Sequence, residues 1–273
     1  MSPINFWGVP ISADPPAVIL SQIKNRLQNP DRPLLICTPN PEIMLAARTD
    51  RLFHKILTQA DFNIPDGTGL IWALRRAEGG SVPPLLRVSG VDFLHELLKI
   101  LPTGQRVALL GAGLAGNAGT VKNLQKTFPQ HTFRGWLGEI PEIKTIKPES
   151  QNLEDFKTAA LTQVIGEFKP TVILAGLGAP RQEKWLKANL PQIPTVAVAM
   201  GVGGAFDMLA GLKPRAPLGV RKAGLEWLWR GIIQPTRFFR ITKAVMIFPL
   251  FVLAGPKLKM QNEKCKTTTK NFK

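Results

Sequence analysis

Three polar residues in the first quarter of the chain could carry out acid–base chemistry at one edge of a sheet. Thr38 and Asn40 follow the apolar stretch 34–37, and Asp66 follows a second, shorter apolar stretch. In open α/β sheets, ligands bind in the crevice beyond the carboxyl ends of the strands. We therefore predict that Asp66 is a catalytic base in such a crevice.

Asp66 also has a purely structural interpretation, because aspartate immediately before a helix is a favoured N-cap. The residues that follow it have the pattern of a helix, so residue type alone does not separate the two interpretations. Arg87, Gln182 and the glycine-rich segment 201–204 also fall near the ends of predicted elements. Polar groups that converge on one crevice are typical of a binding site. We therefore predict that Asn40, Arg87 and Gln182 contact the substrate.

A second candidate is the segment GAGLAG, residues 111–116, which follows a predicted strand and begins a helix. Such a G-x-G-x-x-G segment is typical of dinucleotide binding when an acidic residue ends the next strand. Here the next predicted strand, 131–136, has no acidic residue, and the first one is Glu139 in the following loop. A phosphate-binding or tight-turn role is the preferred interpretation, and a nicotinamide-dependent oxidoreductase remains an alternative.

The sequence contains no recognisable motif for a metal site or for a serine nucleophile. The histidines His54, His95 and His131 have no metal-ligand spacing with Cys37. No D-x-D pair follows a strand, and no G-x-S-x-G segment is present. We therefore expect neither a metal ion nor another cofactor.

The positive charge of this chain is concentrated near its C-terminus. The net charge is +16 over 273 residues, and residues 208–273 carry +12 of it, with 14 Lys and Arg against two Glu. We predict an α/β core over residues 1–207 and a basic helical appendage over residues 208–273, with a disordered tail. Such an appendage suits an anionic membrane surface, nucleic acid or a phosphorylated ligand, and a solvated basic tail is the simplest alternative.

Part of this appendage is apolar. Residues 244–254 form an apolar run of eleven residues that contains Pro249. Spanning a bilayer takes about twenty residues, so this run is too short to cross one by itself. Basic residues on both sides, such as Arg240, Lys243 and Lys257, favour a segment that lies in the membrane interface. The first residues lack the pattern of a signal peptide, which favours a cytoplasmic location on the inner membrane face.

The elements that position these residues alternate between short apolar strands and helices of ten to fifteen residues. This alternation predicts a Rossmann-like α/β fold, with a mostly parallel sheet flanked by helices. A first strand is predicted at residues 4–9, and a single helix is predicted after Pro41. The later strands are predicted at 106–110, 131–136, 171–178 and 195–200.

Several longer motifs, in one order from Asn5 to Arg240, resemble the WecG/TagA/CpsF family of bacterial glycosyltransferases. They are TPNPE (38–42), IPDGTGL (64–70), R-x-S-G-x-D (87–92), GLGAPRQEKW (176–185), GVGGAFDMLAG (201–211), RAP (215–217) and GLEWLWR-x6-R-x2-R (224–240). The resemblance implies transfer of an N-acetylmannosamine-type sugar from a UDP donor to a polyprenyl-diphosphate-linked sugar. It also implies an inverting, metal-independent reaction in the synthesis of teichoic acid or another cell-surface polysaccharide.

The resemblance also assigns roles to individual residues. The family's catalytic aspartate corresponds to Asp66, and its active-site threonine and asparagine correspond to Thr38 and Asn40. The C-terminal arginines that complete the family's site and hold the donor's diphosphate correspond to Arg230, Arg237 and Arg240. The resemblance therefore implies that the appendage folds over the core to complete the site.

The partners expected from these observations are a UDP-sugar, the lipid-linked acceptor and an anionic membrane surface, but no nucleic acid. A non-enzymatic basic module that binds membrane or nucleic acid through residues 208–273 is the remaining alternative. The sequence leaves open whether the chain forms a homo-oligomer.

Overall fold

The computed structural model of this chain describes residues 2–28, 31–77, 79, 88–137, 153–233 and 241–254. Eight strands lie within those residues: β1 (Ile4–Phe6), β2 (Val9–Ile11), β3 (Leu34–Cys37), β4 (Phe62–Asn63), β5 (Arg106–Gly111), β6 (Thr132–Trp136), β7 (Val172–Gly176) and β8 (Val198–Gly201). Six of them form a parallel sheet in the order β4-β3-β8-β7-β5-β6. The predicted Rossmann-like α/β fold is confirmed.

Twelve α-helices lie within the described residues. They are α1 (Pro16–Gln28), α2 (Pro41–Thr49), α3 (Arg51–Gln59), α4 (Thr68–Ala77), α5 (Gly90–Ile100), α6 (Leu114–Thr127), α7 (Leu153–Glu167), α8 (Arg181–Asn189), α9 (Ala205–Leu209), α10 (Leu218–Lys222), α11 (Glu226–Ile233) and α12 (Phe248–Leu253). A 3₁₀ turn at Leu190–Gln192 follows α8, and a π-helical turn at Lys243–Ile247 precedes α12.

Two hydrophobic cores lie on the two faces of the sheet, because successive side chains of a strand point in opposite directions. Along β3, Leu35 belongs to the core on one face and Ile36 to the core on the other. Helices α2, α3, α4, α7 and α8 cover the first face, and α1, α5, α6 and α9 cover the second. The helices that follow the neighbouring strands β3 and β8 therefore lie on opposite faces, and such an arrangement opens a crevice at the carboxyl ends of the strands.

The predicted first strand at residues 4–9 is wrong in detail, because the segment is a hairpin of β1 and β2. The chain reverses at Trp7 and Gly8, which both have positive φ. The side-chain oxygen of Asn5 accepts a hydrogen bond of 2.9 Å from the Gly8 amide and closes the turn. Glycine adopts such a conformation without steric cost.

The single helix predicted after Pro41 is also wrong, because α2 and α3 are separate helices that meet at Asp50. Its backbone is extended, and its carboxylate caps α3 by accepting a hydrogen bond of 3.0 Å from the Phe53 amide. A hydrogen bond from Lys184 on α8 lowers the pKa of Asp50 and holds the carboxylate in place. Aspartate competes well for such a cap, and the local pattern of apolar residues does not reveal it.

The C-terminal apolar run packs partly against the N-terminal hairpin. Phe248 is 1% exposed, and its ring lies 5.3 Å from that of Trp7 and 6.1 Å from that of Phe6. The Arg48 guanidinium lies between two aromatic rings, 4.7 Å from the centre of Trp7 and 4.4 Å from that of Phe251. Aromatic and cation–π contacts therefore hold α12 against α2 and the hairpin. The predicted domain boundary at residue 207 stays a prediction.

Candidate active site

A crevice of about 600 Å³ opens beyond the carboxyl ends of β3 and β4. Core residues and residues of the predicted appendage line it together. Its polar lining side chains are Asn40, Glu42, Asp66, Thr68, Ser89, Asp92, Arg221, Lys222 and Glu226. Its larger apolar lining side chains are Trp72, Val88, Trp227, Ile241, Val245 and Phe248. The volume lies within the range of about 300–1,000 Å³ that small-molecule sites occupy.

Asp66 lies in the wall of this crevice, at the end of β4. Its amide donates a hydrogen bond of 2.8 Å to the Pro39 carbonyl, and its backbone forms a parallel bridge with Val88. Helix α4 begins at Thr68, two residues after Asp66. The backbone contacts on both sides fix Asp66 at the rim of the sheet, where the sequence predicted a catalytic base.

Asn40 also lines the crevice, but its side chain has a structural task as well. Its carbonyl oxygen caps α2 by accepting a hydrogen bond of 2.9 Å from the Ile43 amide. Pro41 follows at the first helical position, where a backbone N–H would have no partner within the helix, so a proline costs no hydrogen bond. Asn40 therefore shapes the edge of the crevice nearest Asp66, and its predicted substrate contact stays a prediction.

Thr38 does not line the crevice. Its side chain is 9% exposed, and its hydroxyl lies 3.4 Å from the Gly201 carbonyl at the end of β8. A β-carbon on Gly90 would lie 3.5 Å from the Thr38 methyl group, so the start of α5 covers this threonine. The structure buries Thr38 outside the lining of the crevice, and its predicted catalytic role stays a prediction.

Gln182 lies at the start of α8, where it is buried and does not line the crevice. Its carbonyl oxygen accepts hydrogen bonds from the amides of Gly178 (3.2 Å) and Gly203 (3.0 Å). Its amide nitrogen donates a bond of 2.7 Å to Glu183, and burial raises the pKa of that carboxyl group. The Gln182 side chain thus holds the loops after β7 and β8 together, and its predicted donor contact stays a prediction.

Four of the predicted site residues are arginines. Arg87, Arg237 and Arg240 lie outside the described residues. Arg230 lies on α11, and the first two residues of that helix, Glu226 and Trp227, line the crevice. The roles of all four arginines stay predictions.

Arg215 begins the RAP motif, but no role was predicted for it. Its guanidinium lies beneath the crevice and donates hydrogen bonds to the Ser89 hydroxyl (3.2 Å) and to the Asp92 carboxylate (2.6 Å). Ser89 occupies the N-cap position of α5, and its side chain makes no capping bond there. Arg215 therefore anchors the segment that begins with Val88, the bridge partner of Asp66.

The charge of Arg215 couples it to three carboxylates around the crevice. Burial lowers the pKa of the Arg215 guanidinium, but its hydrogen bond to Asp92 and the charge of Asp92 outweigh that effect. Glu226 and Asp66 also raise this pKa, and the net result is a pKa above the ordinary value. A sequence motif cannot reveal this pairing, since Arg215 and Asp92 are 123 residues apart.

We predict that Arg215→Lys lowers both the stability and the turnover of the protein. Lysine keeps the charge but cannot bridge Ser89 and Asp92 with one planar group, so the segment beside Asp66 loosens. Guanidinium chloride denaturation should show a loss of about 1–2 kcal/mol in the free energy of unfolding. Arg76→Lys, at an exposed position on α4, is the matched control. A loss no larger than that of the control would contradict the anchoring role.

The glycines of GAGLAG serve close packing. A β-carbon on Gly111 would lie 2.9 Å from the Gly176 carbonyl carbon, and one on Gly116 would lie 2.7 Å from an Asp207 oxygen. The Asn117 side chain adds a hydrogen bond of 2.8 Å to the Gly111 carbonyl and one of 3.1 Å to Trp136. The first and third glycines therefore let α6 and β5 approach their neighbours closely.

Chemically, the crevice combines carboxylates, two cationic side chains and exposed tryptophan surface. A carboxylate at Asp66 can accept a proton from a bound hydroxyl group, which is the function of a general base. Within the described part of the chain, no three His, Cys, Asp or Glu residues lie close enough together to hold a metal ion.

Comparisons with known proteins bear on this site. Residues 4–263 match the model of the glycosyl transferase WecG/TagA/CpsF family. A protein of Staphylococcus aureus strain MRSA252 is 33% identical over 232 residues, which are 85% of this chain and 84% of that protein. Its name is N-acetylglucosaminyldiphosphoundecaprenol N-acetyl-beta-D-mannosaminyltransferase. Proteins of the same name from strains NCTC 8325 and MW2 are 33% and 32% identical over the same shares of the chains.

Proposed function

Because this chain belongs to the WecG/TagA/CpsF family of glycosyltransferases, we propose that it transfers N-acetylmannosamine to N-acetylglucosaminyl-diphospho-undecaprenol. The donor in this proposal is a UDP-sugar, and the product belongs to the synthesis of a cell-surface polysaccharide or teichoic acid. The observation that carries the proposal is the composition of the crevice, in which Asp66 lies together with cationic and apolar side chains. A sugar, a diphosphate and a lipid chain need those three kinds of surface.

The proposed reaction uses Asp66 as the general base. A hydroxyl group of the acceptor sugar attacks the anomeric carbon of the donor from the side opposite to UDP. As the new carbon–oxygen bond forms, Asp66 takes the hydroxyl proton, and UDP departs with the electron pair of the broken bond. A single displacement of this kind inverts the anomeric configuration.

The departing UDP gains negative charge, which must be neutralised when no metal takes part. Arg221 and Lys222 line the crevice with Asp66, and charged donors of this kind form strong hydrogen bonds to phosphate oxygens. The family resemblance adds Arg230, Arg237 and Arg240 to the same task. We propose that these cations, rather than a divalent metal, stabilise the transition state.

The test is an assay of the purified chain with a panel of UDP-sugars and an N-acetylglucosaminyl-diphospho-lipid acceptor. We expect transfer from UDP-N-acetylmannosamine in buffer that contains EDTA, with inversion visible in the one-bond C1–H1 NMR coupling constant of the transferred sugar. Transfer from another sugar donor alone would overturn the donor assignment. Stabilisation by NADH or NADPH but not by UDP would favour the oxidoreductase alternative, since ligands stabilise the native state that binds them.

We also propose that the chain binds the inner face of an anionic membrane through the segment 241–254. None of the described helices combines the length and the apolar character needed to cross a bilayer. On this segment Met246 and Leu250 are 63% and 66% exposed, so an apolar surface faces away from the core. An amphipathic segment of this kind lies in the interface when basic residues flank it.

We predict that Leu250→Ser weakens binding to anionic vesicles by about tenfold, because a leucine contributes up to a few kcal/mol when it is buried in lipid. Sedimentation with vesicles that contain phosphatidylglycerol measures the effect. Leu52→Ser is the matched control, since Leu52 is 56% exposed on α3, outside this segment. Equal binding of the two variants would refute the proposed membrane surface.

A further inference from the structure

The crevice has an apolar wall that the transfer of a sugar between hydrophilic molecules would not require. This wall is formed by Ile241, Ala244, Val245, Phe248 and Pro249. All five side chains are hydrocarbon, and they belong to the π-helical turn and α12 or directly precede them. Asp66 lines the same cavity, so the wall is continuous with the proposed catalytic site.

The segment that forms this wall presents different side chains to three surroundings. Phe248 and Val252 pack against the core, whereas Met246 and Leu250 are exposed and do not line the crevice. Val245 lines the crevice and is 40% exposed. The π-helical turn is wider than an α-helical turn, and Pro249, which cannot donate a backbone hydrogen bond, lies two residues after its end. Such π turns occur frequently at functional sites.

We propose that this wall is a slot for the first isoprene units of the acceptor's lipid chain. The inference rests on the proposed function and names the part of the substrate that the wall binds. The match is chemical, since an isoprene chain has no polar atoms and the wall offers only hydrocarbon. Burying such a chain against the wall removes apolar surface from water, which is favourable.

The location of the slot fits a substrate that stays anchored in a bilayer. The exposed side chains Met246 and Leu250 lie within five residues of Val245 on the same segment. The proposed membrane-facing surface and the slot are therefore adjacent along the chain. A cavity of about 600 Å³ holds a head group and a short stretch of chain, but not a whole polyprenyl chain. The rest of the lipid therefore stays in the membrane, and the enzyme binds its first units.

The base of a nucleotide is the main competing occupant of an apolar wall. Its ring carries hydrogen-bonding groups that need partners when they are buried. The five wall residues offer no side-chain hydrogen-bond donor or acceptor to a base. The lipid chain therefore matches this wall better, and the experiment below separates the two occupants.

The test compares two acceptors that share the N-acetylglucosaminyl-diphosphate head group, one with a farnesyl chain and one with a methyl group. Both are used below micelle-forming concentrations and without vesicles, so membrane binding does not contribute. We expect kcat/KM of the full-length chain to be at least about tenfold higher for the farnesyl acceptor. Val245→Trp, which fills the slot, should reduce this ratio to near one.

The matched control is Met246→Trp, which places the same side chain one residue away on the exposed surface. It should keep the preference for the farnesyl acceptor. A wild-type ratio near one would overturn the slot, and so would a Val245→Trp variant that keeps the wild-type ratio. Either result could occur while the enzyme transfers sugar normally. The slot proposal can therefore be wrong while the proposed function is right.

Calorimetry with farnesyl diphosphate, methyl diphosphate and UDP tests the slot when neither acceptor is turned over. Farnesyl diphosphate should bind the wild-type chain at least about tenfold more tightly than methyl diphosphate, and Val245→Trp should remove that difference. Such binding without transfer would overturn the proposed function and keep the slot. Loss of UDP binding in Val245→Trp, with the farnesyl preference intact, would assign the wall to the nucleotide and overturn the slot.

Discussion

Asp66→Asn is expected to lower kcat by about 10²–10⁴-fold, because a positioned general base contributes a factor of that size. Asparagine has nearly the same shape as aspartate, but its amide cannot accept the proton of the attacking hydroxyl. The backbone bonds of Asp66 to Pro39 and Val88 do not involve the side chain, so the turn should keep its conformation. Steady-state kinetics with donor and acceptor in excess measure the loss.

Two measurements separate a chemical role of Asp66 from a structural one. UDP binding by calorimetry should stay close to its wild-type value in Asp66→Asn, and denaturation should show that the variant still unfolds cooperatively. Glu96→Gln is the matched carboxylate-to-amide control, because Glu96 is exposed on α5 and pairs only locally with Lys99. Turnover of Asp66→Asn that approaches that of the control would refute the assignment of the base.

Gly111→Ala is expected to destabilise the protein by about 3 kcal/mol or more. Gly111 has a φ of +98°, which costs a residue with a β-carbon about 1–3 kcal/mol. The new methyl group would also lie 2.9 Å from a Gly176 backbone atom, and overpacking of that kind adds about 1–3 kcal/mol. The neighbouring strand β7 cannot move away without breaking the sheet. Guanidinium chloride denaturation gives the change in the free energy of unfolding.

The other glycines of the same motif provide the controls. Gly113→Ala should change the stability by less than about 1 kcal/mol, because a β-carbon there meets no atom within 4 Å. Gly116→Ala should have an intermediate effect, because its contact is a carboxylate oxygen of Asp207, which a side-chain rotation can displace. A dinucleotide site would instead need the second glycine for the approach of the pyrophosphate. A strongly destabilised Gly111→Ala beside a neutral Gly113→Ala would support the packing role of the first glycine.

The sheet and the position of Asp66 were predictable because local patterns decide them. Short, continuous apolar runs such as residues 172–176 favour buried parallel strands, since both faces of such a strand are covered. A polar residue directly after such a run must lie at the carboxyl edge of the sheet. The place of Asp66 in the crevice follows from its position in the sequence once the strands are known.

The helix after Pro41 was mispredicted because two local patterns competed. The helical spacing of apolar residues continues through Asp50, but its backbone N–H bonds to the last turn of one helix and its carboxylate caps the next. The glycines of GAGLAG fit a nucleotide motif, but Asp207 and Gly176 lie where close packing needs them. Partners distant in the sequence, such as Lys184 at Asp50 and Asp207 at Gly116, contribute at both places.

The sequence by itself determined the family, the fold class and the position of Asp66 at the end of a strand. Only the tertiary structure decided that Arg215 lies against Asp92, 123 residues away, and that Val245 and Phe248 lie in the same crevice as Asp66. Backbone geometry makes side chains repeat on one face every two residues in a strand and about every 3.6 residues in a helix, so local sequence patterns predict these elements. Which distant surfaces contact each other depends on the packing of the whole chain, and local sequence patterns do not predict those contacts.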